Sequence, residues 1–261
     1  MHDPVAVFSG ALVGFSLGLI GGGGSILATP LMLYVVGLKP HVAIGTSALA
    51  VSANAFVGLG NHARKHHVRW HSAIIFALFG IAGAVIGSTL GKAFDDQKLL
   101  FLFAILMIVV GMLMLWQHGD KQPVTLSDQR IGLKKAGLTG TVALAVGALS
   151  GFFGIGGGFL IVPGLLFATG MPMIFAIGSS LLSVGTFSLT TAVNYAISGQ
   201  VDWMVAVEFI IGGVIGGLLG TKLATSLSTS KDALNRVFAG FIFAAAIYML
   251  YNNAAAFGVR L

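Results

Sequence analysis

Gly21-Gly22-Gly23-Gly24-Ser25, followed by Pro30, lies inside an apolar run from Val5 to Leu38. At 1.5 Å per residue that run would make a helix of roughly 50 Å, against a bilayer core of about 30 Å. Four consecutive glycines also cannot hold an unsupported helix, since each costs about 1 kcal/mol relative to alanine. The segment is therefore broken at the glycines. Two geometries follow: one long kinked helix, or two shorter pieces doubling back as a hairpin.

The motif recurs 133 residues on, as Gly154-Ile155-Gly156-Gly157-Gly158 with Pro163. At the same step Gly45-Thr46-Ser47 meets Gly178-Ser179-Ser180, Asn61 meets Asn194, and Trp70 meets Trp203. Abundant glycine and alanine would align by chance; Pro, Asn and Trp would not. The chain reads as two homologous repeats, 1–117 and 134–261, joined by a polar linker at 118–133 with Asp120, Lys121, Asp128 and Arg130. Internal duplication is common in secondary transporters.

Composition sets the class. The chain has 261 residues, 56% hydrophobic and 8% charged, where a soluble domain carries roughly a quarter charged residues. Continuous apolar segments at 5–38, 42–61, 72–93, 98–117, 135–171, 174–197, 204–225 and 233–251 indicate an all-α, polytopic membrane helix bundle, not a barrel of short alternating strands. Met1-His2-Asp3-Pro4 shows no basic region and no small-residue cleavage pattern, so no removable leader is expected. Without cysteine there is no disulfide or thiolate metal site. The net charge of +6 fits basic cytoplasmic loops; no long basic run with interleaved aromatics points to nucleic acid.

Charge placement bears on the hairpin. If 5–38 crosses once, Arg64, Lys65, Arg69, Lys121, Arg130, Lys134, Lys135 and Arg260 share a side. If it doubles back, Arg260 leaves that group and Lys222, Lys231 and Arg236 join it, so that ten of the 14 basic residues share a side. The positive-inside rule favours the hairpin, which also makes the repeats inverted.

In lipid, irregular backbone survives only where protein buries it or a wet cavity meets it. Free N–H groups where the helices restart, near Ser25 and after Gly158, would present partial positive charge to an anion. The candidate binding residues are therefore Gly21, Gly22, Gly23, Gly24, Ser25, Gly154, Gly156, Gly157 and Gly158. To them we add the hydroxyls of Thr46, Ser47, Ser179 and Ser180 and the amides of Asn61 and Asn194. Helix capping or back-bonding is the alternative for the hydroxyls. Gly83, Gly87 and Gly91, like Gly212, Gly216 and Gly220, line one helix face and read as close packing. Glu208 is the acidic residue nearest the middle of an apolar segment and reads as interfacial, leaving little support for a carboxylate proton relay. The histidine-rich loop His62–His71 reads as a basic cytoplasmic loop, not a metal site. Gly87-Ser88-Thr89-Leu90-Gly91-Lys92-Ala93 is one residue short of a phosphate-binding loop and ends in alanine, so no nucleotide is expected.

On the two glycine runs, Pro30, Pro163, Gly45-Thr46-Ser47 and Gly178-Ser179-Ser180, the chain resembles the TauE/SafE sulfite exporters, over nearly its whole length. The resemblance implies a multi-pass plasma-membrane transporter, not an enzyme, without a cofactor or metal. Its partners would be a small sulfur-containing anion and the lipid bilayer; the sequence leaves open whether a second copy joins it in a homo-oligomer. Sulfite and organosulfonates are the implied substrates, moved outward; an anion channel using the same helix dipoles is the alternative. Because the chain has no cysteine of its own, single introduced cysteines report sidedness. Positions 66 and 121 are expected to label only from the cytoplasm. Position 39 should label from the opposite side for the hairpin, and from the same side as 121 for a single crossing.

Overall fold

The computed structural model describes residues 3–20, 22–116, 133–154, 158–171, 173–226, 243–244 and 246–251, so most of the linker lies outside the described residues. The secondary structure among them is helical. The principal helices are α1 (Asp3–Ile20), α2 (Ala28–Pro30), α3 (Pro40–Arg64), α4 (Trp70–Lys92), α5 (Asp96–Trp116), α6 (Leu133–Phe153), α7 (Gly158–Thr169), α8 (Met173–Ile197) and α9 (Trp203–Ser226). Four helices among the described residues are long and apolar enough to cross a membrane, namely α3, α4, α8 and α9; the other apolar helices are shorter.

The long helices begin where the chain supplies a start. Pro40 opens α3, where its missing N–H costs nothing and its fixed φ suits the first turn. The Asp202 carboxylate accepts from the N–H groups of Met204 and Val205, both at 3.1 Å, and caps α9. Trp70 and Trp203 open α4 and α9, half or more exposed, as interfacial anchors would be. Along α9 the exposed residues Val207, Ile211, Ile215 and Leu218 recur every three or four positions. Such an apolar outer stripe suits lipid, where it carries no hydration penalty.

Helix packing follows the glycines. A Cβ on Gly10 or Gly14 would collide with the backbone of Phe209 or Gly213, which sets α1 alongside α9 in the same direction. A Cβ on Gly147 or Gly151 would meet Gly80 or Ala84, setting α6 alongside α4, again in parallel. These are the same contacts displaced by 133 residues with the halves exchanged. The expected packing ladders are found at Gly83, Gly87 and Gly91 against α6, and at Gly212, Gly216 and Gly220 against α1. At the centre α3 crosses α8 in the antiparallel sense: Gly45 abuts Tyr195, and Gly178 abuts the His62 side chain. Between those contacts the Ser52 hydroxyl donates to the Gly185 carbonyl at 2.9 Å. Ser52 and Gly185 are themselves 133 apart, so this bond sits where the two halves exchange. Around it the core gathers Phe76, Phe187, Phe209, Met32 and Ile161.

Helices this close tolerate no added methyl group. Gly14→Ala and Gly147→Ala are each expected to destabilise the protein by about 1–3 kcal/mol through overpacking. Gly60→Ala lies in α3 with open space at its Cβ and should be neutral or stabilising by up to about 1 kcal/mol. Thermal unfolding of purified variants in detergent checks both.

Candidate functional site

Helix α1 stops at Ile20, and residues Gly22–Leu27 wind into a 3₁₀ helix. After Pro30 the chain widens into a π-turn, Leu31–Val35, in which the Val36 N–H reaches back to the Leu31 carbonyl at 3.0 Å. Proline has no N–H to give the carbonyl four residues earlier, and wide or tight turns are the usual response to such a gap. Ser25 is completely buried, as is Ile26. Gly21 lies outside the described residues, and so do Gly156 and Gly157. In the second run Gly154 adopts φ +66°, a left-handed conformation that favours glycine, and a Cβ there would strike Ile44 of α3. Gly158 begins α7, and the 3₁₀ segment packs on α7. The elements that follow the two glycine runs therefore touch.

The predicted hydroxyls divide into two sets. Thr46 Oγ1 accepts from the Asp202 N–H at 2.9 Å, and Ser179 Oγ accepts from the Arg69 N–H at 2.9 Å. Each fixes the loop that enters a long helix of the opposite half. Gly45 and Gly178 beside them let those loops approach, since a Cβ would strike Gln200 or His67 backbone. Ser47 and Ser180 instead donate back to the carbonyls of Ile44 and Ile177, at 3.1 and 2.7 Å. Ser47 also pairs with Thr29 at 3.0 Å, a bond without counterpart in the second half because Val162 occupies the equivalent of Thr29.

The two predicted asparagines part company. Asn194 Nδ2 donates to Ser88 Oγ at 2.6 Å and Thr89 Oγ1 at 3.1 Å, holding α8 to α4, while Lys92 Nζ donates to its carbonyl at 3.0 Å. Asn61 instead borders a narrow cleft that is partly open to the outside. Gly14, Gly18, Gly213 and Gly217 form one wall, with Asn54, Gly58, Asn61 and His62 of α3 on another. Asn54 escaped the sequence reading, which sought polar residues recurring in both halves; the position 133 later is Phe187. The signal was present as an amide in the middle of an apolar segment, where a polar side chain needs a partner. Glu208 is half-buried in the second turn of α9. His62 and His67 face each other at 6.0 Å between ring centres, and no metal-binding cluster occurs among the described residues.

A helical bundle with interior chain breaks, a lipid-compatible exterior and a narrow cleft bearing a few polar side chains suits a membrane transporter. The family model for the sulfite exporter TauE/SafE matches residues 6–249, and the chain belongs to that family. A probable membrane transporter protein of Xylella fastidiosa (strain 9a5c) is 58% identical over 252 residues, covering 96% of each chain. The probable membrane transporter protein MJ0441 of Methanocaldococcus jannaschii is 30% identical over 210 residues, 78% of this chain and 73% of its own. YunE of Bacillus subtilis (strain 168), also named a probable membrane transporter protein, is 29% identical over 241 residues, 81% and 85%. No solved structure matches. The protein is a multi-pass transporter of the plasma membrane.

Removing a cross-half acceptor strands a partly buried backbone N–H. Thr46→Val and Ser179→Ala are expected to cost about 1–3 kcal/mol each, while Thr46→Ser, which keeps the acceptor, should cost much less. Thermal unfolding in detergent with each single variant measures the difference.

Proposed function

We propose that the protein is a secondary transporter that moves sulfite, or a related small sulfur oxyanion or organosulfonate, outward across the plasma membrane. The anion is held by backbone N–H groups at the glycine-rich breaks, where the two repeats meet. The observation that carries this reading is the contact between the 3₁₀ segment Gly22–Leu27 and α7, both of which start at a glycine run. Irregular backbone at that depth needs a partner for its N–H groups, and the family supplies an oxyanion as that partner.

Inverted repeats suit this function, since one conformation then becomes the other when the halves exchange roles. Support comes from helix direction. Both α1 and α3 lie along α9 in its own sense, judged from Gly14 at Gly213 and from Thr46 at Asp202 with Asn54 at Gly213. For the chain to leave α1 and enter α3 in the same direction, residues 21–39 must return, as a hairpin does. Helix α8 runs against α3, its equivalent, as inversion requires.

The test is uptake into proteoliposomes of labelled sulfite, sulfate, thiosulfate and a small sulfonate, with and without a pH gradient. Sulfite or a sulfonate is expected to be carried. Gly23→Val and Gly156→Val should each abolish that flux while leaving folded protein, because a side chain blocks the approach to the amides. Normal flux in both variants would remove the backbone site from the mechanism.

A further inference from the structure

We infer that Asn54 forms the inner end of an anion-binding cleft between α3 and the glycine faces of α1 and α9, a cleft without counterpart around Phe187, and that it takes a small oxyanion still carrying a proton. The inference deepens the transporter reading and rests on it. Asn54 is more than nine-tenths buried, and neither its Nδ2 nor its Oδ1 has a hydrogen-bond partner among the described residues. It lies two residues from Ser52, the point where the halves exchange, and so near the middle of α3. Its head group rests on Gly213, where any Cβ would displace it. Asn61 and His62 continue the same helical face outward at i+7 and i+8, with Gly58 leaving room between them. The result is a polar track from the bundle centre toward the C-terminal end of α3.

The opposite half lacks this track. There Phe187 occupies the position of Asn54 and rests on Gly80, the equivalent of Gly213. Phe187 is fully buried and stacks on Phe76 at 6.3 Å between ring centres. An apolar ring thus closes the place where the first half offers an amide.

The chemistry of the amide sets the ligand class. Nδ2 needs an acceptor and Oδ1 needs a donor. A fully deprotonated oxyanion, or a sulfonate, has acceptors only and leaves Oδ1 unpaired. An acid oxyanion such as hydrogensulfite has both, through its oxygens and its O–H. Among the described residues no lysine or arginine lines the cleft, so a single negative charge also suits it better than a double one.

Equilibrium binding to the full chain in nanodiscs tests this at one slightly acid pH, with labelled sulfite as the probe and methanesulfonate and sulfate as competitors. Asn54→Leu is expected to weaken sulfite binding at least about tenfold, while the melting temperature without ligand stays equal or rises, since an unpaired buried amide has gone. Asn54→Ala gives the same comparison should the leucine variant fail to fold. In the unmodified protein methanesulfonate should compete at least about tenfold more weakly than unlabelled sulfite, a gap a site reading both donor and acceptor produces. Wild-type sulfite affinity in the Asn54 variants would overturn the cleft, and equal competition by methanesulfonate would overturn the requirement for a proton. If the protein binds no sulfur oxyanion but binds bicarbonate or dihydrogen phosphate, and loses it in Asn54→Leu, the sulfur assignment fails while the cleft stands.

Discussion

The closeness of α1 to α9 and of α4 to α6 is the constraint on which the bundle depends. Apolar side chains gain little by leaving lipid for a helix interface, so membrane helices are held by close packing and by buried hydrogen bonds. Glycine on both sides of a crossing, as at Gly14 with Gly213 and Gly147 with Gly80, permits backbone contact. Each of these crossings joins a helix of one half to a helix of the other. Cross-half bonds from Thr46 and Ser179 fasten the corresponding loops. Neither half is complete alone, because the surface each glycine face needs belongs to its counterpart.

The repeat step was legible because it is carried by residues whose geometry is hard to replace: glycine at crossings, proline after a break, tryptophan at a helix entry. The site was less legible. Thr46 and Ser179 offered a hydroxyl beside a glycine, a pattern that suits a ligand and a backbone partner equally; their bonds from the Asp202 and Arg69 N–H groups could not be read without the fold. Asn61 and Asn194 looked like one feature twice, yet one borders a cleft and the other braces α8 on α4. Asn54 was hidden by the reverse effect, since its equivalent is Phe187. Pairing by repeat finds what the halves share and overlooks what one half has changed.

Two such changes fall in the interior. Thr29 becomes Val162, and Asn54 becomes Phe187. In the connecting turns His66 holds φ +55° where its equivalent, Gly199, holds +69°, so the backbone there is kept although the residue is not. The scaffold is symmetric and the polar lining is not.

The hydrogen bond from Ser52 to Gly185 gives that asymmetry an energetic form. A bond at the exchange point of two halves has a direction: serine gives a proton, and glycine has no side chain with which to return it. Turning the molecule over does not reproduce the bond. The crossing of α3 and α8 thus has a donor side and an acceptor side that cannot be interchanged.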